Sequence, residues 1–159
     1  MVFIATILFV PVGAFFWLGW YWRLFRQPRL GRPMAARWLM FLSPVLCLAV
    51  LLAANLATFN DTILAVAASI YEFCILRFVV GFFVCFGISP LADGVSRDNR
   101  AARIATLGGM LGATLMCASA STQVARSELT GVNHLLGLVL FFLGWGIIEA
   151  FTSLSERIT

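Results

Sequence analysis

Residues 62–88, TILAVAASIYEFCILRFVVGFFVCFGI, form the longest apolar stretch of the chain and contain only two charged side chains, Glu72 and Arg77. A helix needs about 20 mainly apolar residues to cross the hydrocarbon core of a bilayer. This stretch exceeds that length and is followed at once by Ser89-Pro90. It therefore predicts a transmembrane helix that ends near this Ser-Pro step.

The composition of the whole chain also indicates a membrane protein. Of its 159 residues, 62% are hydrophobic and 11% are charged, against about 45–50% and about 25% in soluble globular domains. A small soluble domain exposes a large share of its surface and would leave much of this apolar surface in water. In a bilayer, lipid surrounds the apolar faces instead.

Four further stretches meet the same length test. Together with residues 62–88 they predict an all-α, polytopic bundle of about five spanning helices, forming one transmembrane domain over residues 1–159. Only Asn60 and Asp61 separate the second helix from the third, which predicts an antiparallel hairpin. We expect a second hairpin between the first two helices. The four further stretches are residues 2–22, 38–59, 104–122 and 134–154.

The arginines predict the orientation. The predicted topology places nine of them on one side and only Arg126 on the other, while Arg77 lies within a span. Positive loops stay in the cytoplasm, so we predict an outer N-terminus and a cytoplasmic C-terminus in a bacterial inner membrane. The charges are spread over loops, and we expect no nucleic-acid partner. The first basic loop is expected to contact lipid headgroups or a partner subunit through Arg23, Arg26, Arg29, Arg32 and Arg37.

Aromatic residues flank this basic loop and are typical of the interface between membrane and water. The pattern predicts an interfacial aromatic belt. It consists of Trp17, Trp20, Tyr21, Trp22 and Trp38.

Three charged residues lie inside predicted spans, where a charge costs about 2.5–3.5 kcal/mol at the helix centre. Arg77 and Glu149 each follow the start of their helix by fifteen residues, a depth of about 22 Å. We therefore predict that they pair across two helices, and a structural ion pair is favoured over a transport role. Glu72 is about 140° around the helix from Arg77. It is expected to serve structure or assembly, with proton or ion transfer as the alternative.

The fourth predicted helix is rich in small residues. Gly108, Gly109 and Gly112 give it a surface on which another helix can approach closely, and Gly108 and Gly112 form a GxxxG step. The pattern predicts a central helix that faces protein.

Several kinds of chemistry find no support in the residue pattern. The four cysteines lie in apolar runs without metal spacing, and His134 is the only histidine. We therefore expect no metal site and no haem. Phosphate-loop, dinucleotide and nucleophile-elbow signatures are also missing, so no cofactor is expected. The cysteines are Cys47, Cys74, Cys85 and Cys117.

The region after the third helix resembles the YjfL-like family of small bacterial inner-membrane proteins of unknown function. The resemblance rests on a Ser-Pro step, acidic residues, an Asn, an Ala pair and a glycine-bearing helix. Asp98 departs from the family pattern, which has glycine there, and family members are usually described with four helices. The resemblance implies a membrane protein without an established activity. The matching residues are Ser89-Pro90, Asp93, Asp98-Asn99, Ala101-Ala102, Gly108-Gly109 and Gly112.

Two classes of function agree with these features. The first is a non-catalytic membrane subunit that packs in a homo-oligomer or in a larger complex, with membrane lipids and other subunits as partners. The alternative is a proton or ion channel or transporter that uses Glu72. An enzyme is not expected, because no nucleophile–base or metal constellation is visible.

Overall fold

A computed structural model describes residues 2–26, 34–124 and 130–152, and the side chains of residues 10–26, 34–84, 87–122 and 136–148. These ranges are almost wholly helical and contain no β-strand. The helices form a bundle, as the apolar stretches predict. They are α1 (Val2–Arg26), α2 (Met34–Thr58), α3 (Thr62–Phe82), α4 (Arg100–Val124) and α5 (Thr130–Thr152).

The helices do not end where the apolar stretches end. At the basic end α1 continues through Arg23 to Arg26, and α4 begins at Arg100 rather than near Ile104. Arginine is a good helix former, so hydropathy marks the membrane crossing and not the helix boundary. α3 is shorter than predicted, because a 3₁₀ turn over Phe83–Phe86 follows it and Gly87 closes this turn with a φ of 75°.

Side-chain contacts show that successive helices alternate in direction. α1 and α3 run parallel, since Gly13 lies against Cys74 and Phe16 lies against Arg77. The third helix in turn lies antiparallel to α4, because Glu72 bonds to Ser121 while Phe83 lies against Gly109. This alternation is the expected path of a chain that crosses a membrane repeatedly.

The expected α1–α2 hairpin is not the main packing of α1. This helix packs chiefly on α3, while α2 packs on α3 and α4. The side-chain contacts between α1 and α2 lie near the basic end, where Phe41 meets the rings of Tyr21 and Phe25. A close approach explains the choice, because a Cβ on Gly13 would overlap Cys74. The glycine thus lets α1 and α3 pack tightly.

The predicted aromatic belt is correct for only part of its members. Trp22 and Trp38 are exposed on the outside of the bundle. Trp17 and Trp20 are buried instead, and the ring of Trp17 stacks on Phe73 at a centroid distance of 4.6 Å. Both buried rings fill the α1–α3 interface, where their area contributes to helix packing.

The outer surface of the bundle is strongly apolar, as expected for a protein surrounded by lipid. Large hydrophobic side chains are exposed on every α-helix, for example Phe15 (72%), Leu46 (64%) and Ile63 (82%). In the described part of the chain, three helices are long and apolar enough to cross a membrane. They are Met34–Thr58, Thr62–Phe82 and Arg100–Thr122. The chain is therefore a helical membrane protein.

The glycines of α4 have different environments. A Cβ on Gly109 would overlap the ring of Phe83, and a Cβ on Gly112 would lie 3.4 Å from the ring of Phe141. Gly108 is exposed, and no described residue lies within 4 Å of where a Cβ would be. The packing role of Gly108 therefore stays a prediction. Among the three glycines of α4, Gly109 has the tightest surroundings in the described part of the chain, because the ring of Phe83 lies over it.

We expect Gly109→Ala to destabilise the bundle by about 1–3 kcal/mol, because the new methyl group overlaps Phe83 in a closely packed site. Gly108→Ala is the matched control on the same helix. Its methyl group meets open space, and alanine is the better helix former by roughly 0.5–1 kcal/mol. Unfolding by a denaturing detergent in mixed micelles measures both free energies. Equal responses of the two variants would contradict the assigned packing.

Candidate functional site

Glu72 lies in a buried polar cluster formed by Asn55, Ser69, Glu72 and Ser121. Its side chain is 1% exposed and faces α2 and α4. Nδ2 of Asn55 donates to Oε2 of Glu72 at 2.8 Å, and the hydroxyl of Ser121 donates to Oε1. Both carboxylate oxygens therefore receive a hydrogen bond from a neighbouring helix. Such bonds replace the water that a carboxylate loses inside a membrane.

The rest of the cluster supports these two donors. Nδ2 of Asn55 also donates to the hydroxyl of Ser69 at 3.1 Å, and this hydroxyl donates to the carbonyl of Ala65 at 2.7 Å. Ser69 and Glu72 are three residues apart and so lie on the same face of α3. One amide of α2 thereby bridges two positions of α3 and fixes how the two helices meet.

One atom of the polar cluster has no partner. Oδ1 of Asn55 is buried and accepts no hydrogen bond from the described residues. Oxygen and nitrogen of an amide are assigned from the hydrogen-bond network, and an amide can turn over when that network changes. If Glu72 carried a proton, a reversed amide would offer its oxygen to this proton. The Asn55 amide can therefore act as a donor to Glu72, as it does here, or as an acceptor from it when reversed.

The polar cluster lies toward the end of the bundle that carries the Asn60-Asp61 turn. Asn55 is three residues from the end of α2, and Ser121 is three residues from the end of α4. At 1.5 Å per residue this is about 5 Å along either helix. The carboxylate of Glu72 is ten residues from the start of α3, which is about 15 Å along that helix. Measured along α3, Glu72 therefore lies deeper than Asn55 does along α2.

Arg77 faces a different direction from Glu72, as their angular separation predicts. Its Nε donates to the carbonyl of Phe16 in α1 at 3.1 Å. The guanidinium carbon lies 5.7–5.9 Å from the ring centroids of Phe16, Trp17 and Trp20. A carbonyl and three aromatic rings thus hold the cation, which is attracted to their π faces.

A cavity of about 580 Å³ lies beside Arg77 at the basic end of the bundle. We call it the arginine cavity. The ends of α1 and α3 form one side, and residues 89–92 form the other. It shows that the first and third predicted loops meet at the same end. Its lining includes Trp20, Trp22, Arg23, Arg26, Arg77 and Gly81.

The first basic loop contains three further arginines, Arg29, Arg32 and Arg37. Arg37 is in the first turn of α2. Arg29 and Arg32 lie outside the described residues. Their contacts with headgroups or a partner stay a prediction.

The prediction that Arg77 and Glu149 form a pair assumes that both residues lie at the same depth in the membrane. The register of α3 and α5 does not support this assumption. The rings of Phe82 and Phe142 lie 4.4 Å apart and set the register of α3 and α5. Arg77 precedes Phe82 by five residues, and Glu149 follows Phe142 by seven. The two backbones are thus about 18 Å apart along the bundle. The side chain of Glu149 lies outside the described residues, so the pair itself stays a prediction.

The connection between α3 and α4 is a compact polar structure. Asp93 is 3% exposed and lies in a short π-helical turn, Ala92–Ser96. Its Oδ2 accepts the backbone N–H of Ser89 at 2.7 Å, and its Oδ1 accepts Nη1 of Arg97 at 2.9 Å. The carboxylate therefore ties both ends of this turn together.

Asn99 starts α4 from this connection. Its Oδ1 accepts the backbone N–H groups of Ala101 and Ala102 at 3.0 and 3.2 Å, which is an N-cap. Asp98 has a φ of 55°, a left-handed conformation that Asp tolerates better than most residues, and it accepts a bond from Arg103. The acidic residues and the Asn used for the family resemblance thus have structural roles here.

Metal-binding groups and cysteines are the remaining candidates for chemistry in the described part of the chain. No group of three or more His, Cys, Asp and Glu residues among the searched positions could hold a metal ion. Cys47, Cys74 and Cys117 are free and buried. The side chains of Cys85 and His134 lie outside the described residues.

Comparison with known proteins finds no relative of this chain. No family model matches it, and no characterised protein and no solved structure is significantly similar. The resemblance to the YjfL-like family therefore stays a prediction.

We expect Ser121→Ala to lower the free energy of unfolding by about 1–2 kcal/mol, because it removes an interhelical hydrogen bond to a buried carboxylate. Ser119→Ala is the matched control, since Ser119 is exposed on the same helix. Detergent-induced unfolding measures both variants. The assigned hydrogen bond is wrong if Ser121→Ala costs no more than its control.

Proposed function

We propose that the protein is a non-catalytic integral membrane subunit that packs in a homo-oligomer or in a larger membrane complex. The observation that supports this is the enclosure of Glu72. Side chains of α2 and α4 bond both of its oxygens, and its charge or proton therefore serves helix packing. A conducting role would place the carboxylate on a wet pathway. The arginine cavity lies at the other end, and Glu72 is not among its lining residues.

Five crossings, an outer N-terminus and a cytoplasmic C-terminus in a bacterial inner membrane belong to the same proposal. Two observations support them. The helices alternate in direction, and the arginine cavity brings Arg23 and Arg26 to the same end as residues 89–92. A cluster of positive charge at one end is typical of the cytoplasmic side.

We expect alkaline phosphatase fused after Thr159 to be inactive and a fluorescent protein fused there to be bright, because this terminus is proposed to be cytoplasmic. The same reporters inserted at Asn60-Asp61 are the matched control and should show the opposite activities. Phosphatase activity after Thr159, together with a bright reporter in the turn, would reverse the proposed orientation. Equal behaviour at both positions would contradict the proposed number of crossings.

Proton transfer by Glu72 is a second candidate, favoured by the unpartnered oxygen of Asn55. This oxygen lies in the amide that bonds the carboxylate, and a reversed amide would accept a proton bound to Glu72. Asn55 is also only about 5 Å along α2 from the end of its helix. A short path from that end would suffice to exchange the proton.

Native mass spectrometry of protein purified from its host membranes in mild detergent tests the first proposal. We expect a discrete homo-oligomer or stoichiometric complex, since the proposed subunit acts through packing. A monomer without partners would contradict it. Glu72→Gln in proteoliposomes that contain a pH-sensitive dye separates the two candidates. Weaker assembly with unchanged proton flux supports the subunit, whereas intact assembly with lost flux supports proton transfer and overturns the subunit proposal.

A further inference from the structure

The arginine cavity has an unusual balance of charge for a site in a membrane protein. Arg23, Arg26 and Arg77 all line it, and none of the lining residues that the structure describes is acidic. The nearest carboxylate along the chain, Asp93, is bonded to Ser89 and Arg97. Arg23 and Arg77 line the same cavity, where two positive charges repel each other. An anion in the cavity would offset this repulsion.

The contacts of Arg77 leave its terminal guanidinium nitrogens available for a ligand. Its Nε bonds to the carbonyl of Phe16, and no other described acceptor bonds to its side chain. Nη1 lies beside Gly81, at 3.4 Å from where a Cβ would be. Both residues line the cavity, and the missing side chain of Gly81 leaves the space beside this nitrogen open.

The donors on this wall belong to arginines. Trp20 also lines the cavity, but its indole Nε1–H is buried and so adds no accessible donor to it. A guanidinium with open N–H groups, beside further positive charge that no described lining residue neutralises, is the chemistry of an oxyanion site.

We propose that the arginine cavity binds the phosphate of an anionic phospholipid from the leaflet at the basic end of the bundle. Arg77 and Arg23 bind the phosphate, while Arg26 lies over the ring of Trp22, 4.2 Å from its centroid. The anionic phosphate supplies the negative charge that the lining lacks.

The surroundings of the cavity favour a lipid over a soluble phosphate. Trp22 and Val84 line it and are 59% and 60% exposed, so in a membrane they face lipid. Phe78 and Phe82 follow the lining residues Arg77 and Gly81 directly in α3, and both are exposed, so this end of the helix offers an apolar surface for an acyl chain. A tryptophan with an arginine at one helix end is also typical of the headgroup level. A headgroup phosphate can therefore enter while its chains remain in the bilayer.

Native mass spectrometry after exchange into nanodiscs tests the site. We expect the wild-type protein to retain phosphatidylglycerol and to retain phosphatidylcholine at least fivefold less, since each arginine near the surface strengthens binding to anionic lipid. Arg77→Gln should weaken phosphatidylglycerol retention about fivefold or more. Arg23→Gln, a change of an exposed side chain that a folded protein tolerates, should have the same direction. Arg100→Gln is the matched control, because Arg100 is exposed at the same end but does not line the cavity.

Four outcomes would overturn the proposal. Equal retention of the two lipids would exclude selection for an anionic lipid. An unchanged phosphatidylglycerol retention in both Arg77→Gln and Arg23→Gln, or an equal loss in Arg100→Gln, would exclude this cavity as the site. Displacement of the lipid by inorganic phosphate at equal concentration would assign the cavity to free phosphate. The unfolding free energy of Arg77→Gln is measured in parallel, and Arg23→Gln decides if Arg77→Gln does not fold.

Discussion

A carboxyl group inside a bilayer must find its hydrogen-bond partners in the protein, because hydrocarbon offers none. Glu72 meets this requirement with an amide from α2 and a hydroxyl from α4. Apolar side chains pack against lipid about as well as against each other, so they specify poorly which helix faces meet. The polar cluster supplies that specificity. Asn55 and Ser121 reach Glu72 in only one register of α2, α3 and α4, and the rest of the bundle is arranged around these three helices.

Close packing then fixes the remaining helices at points where a side chain is missing. α1 approaches α3 at Gly13, and the ring of Phe141 in α5 lies against Gly112 of α4. Neither contact depends on charge, and both depend on shape. Dispersion between closely fitted surfaces is the main attraction left to helices in lipid. Polar bonds thus select the register of the central helices, and glycine contacts determine how closely the neighbours can approach.

The sequence was sufficient for the class of fold and insufficient for the contacts. Long apolar runs predict the helices, because the bilayer imposes a length and forbids unpaired backbone groups. Hydropathy does not distinguish Gly108 from Gly109, although among the described residues only Gly109 has a close neighbour, Phe83. It also gives no reason to select Asn55 or Ser121 as partners of Glu72. Both are polar residues within apolar runs, which is the signal that could have identified them. Which polar residues meet each other, however, depends on the register of the helices. The equal-depth argument for Arg77 and Glu149 failed for the same reason, since it assumed helices that start level.

The two charged residues of α3 differ in what surrounds them, and this difference indicates where binding should be sought. Glu72 is enclosed, and uncharged donors within the chain satisfy both of its oxygens. Arg77 is held by a carbonyl and aromatic rings, which position a cation without neutralising it. Further arginines line the space beside it. A protein gains nothing in stability by collecting like charges around a cavity. The enclosure of Glu72 supports its proposed structural role, whereas the arginines, which meet no described carboxylate in the cavity lining, support the proposed binding of an anion from outside the chain.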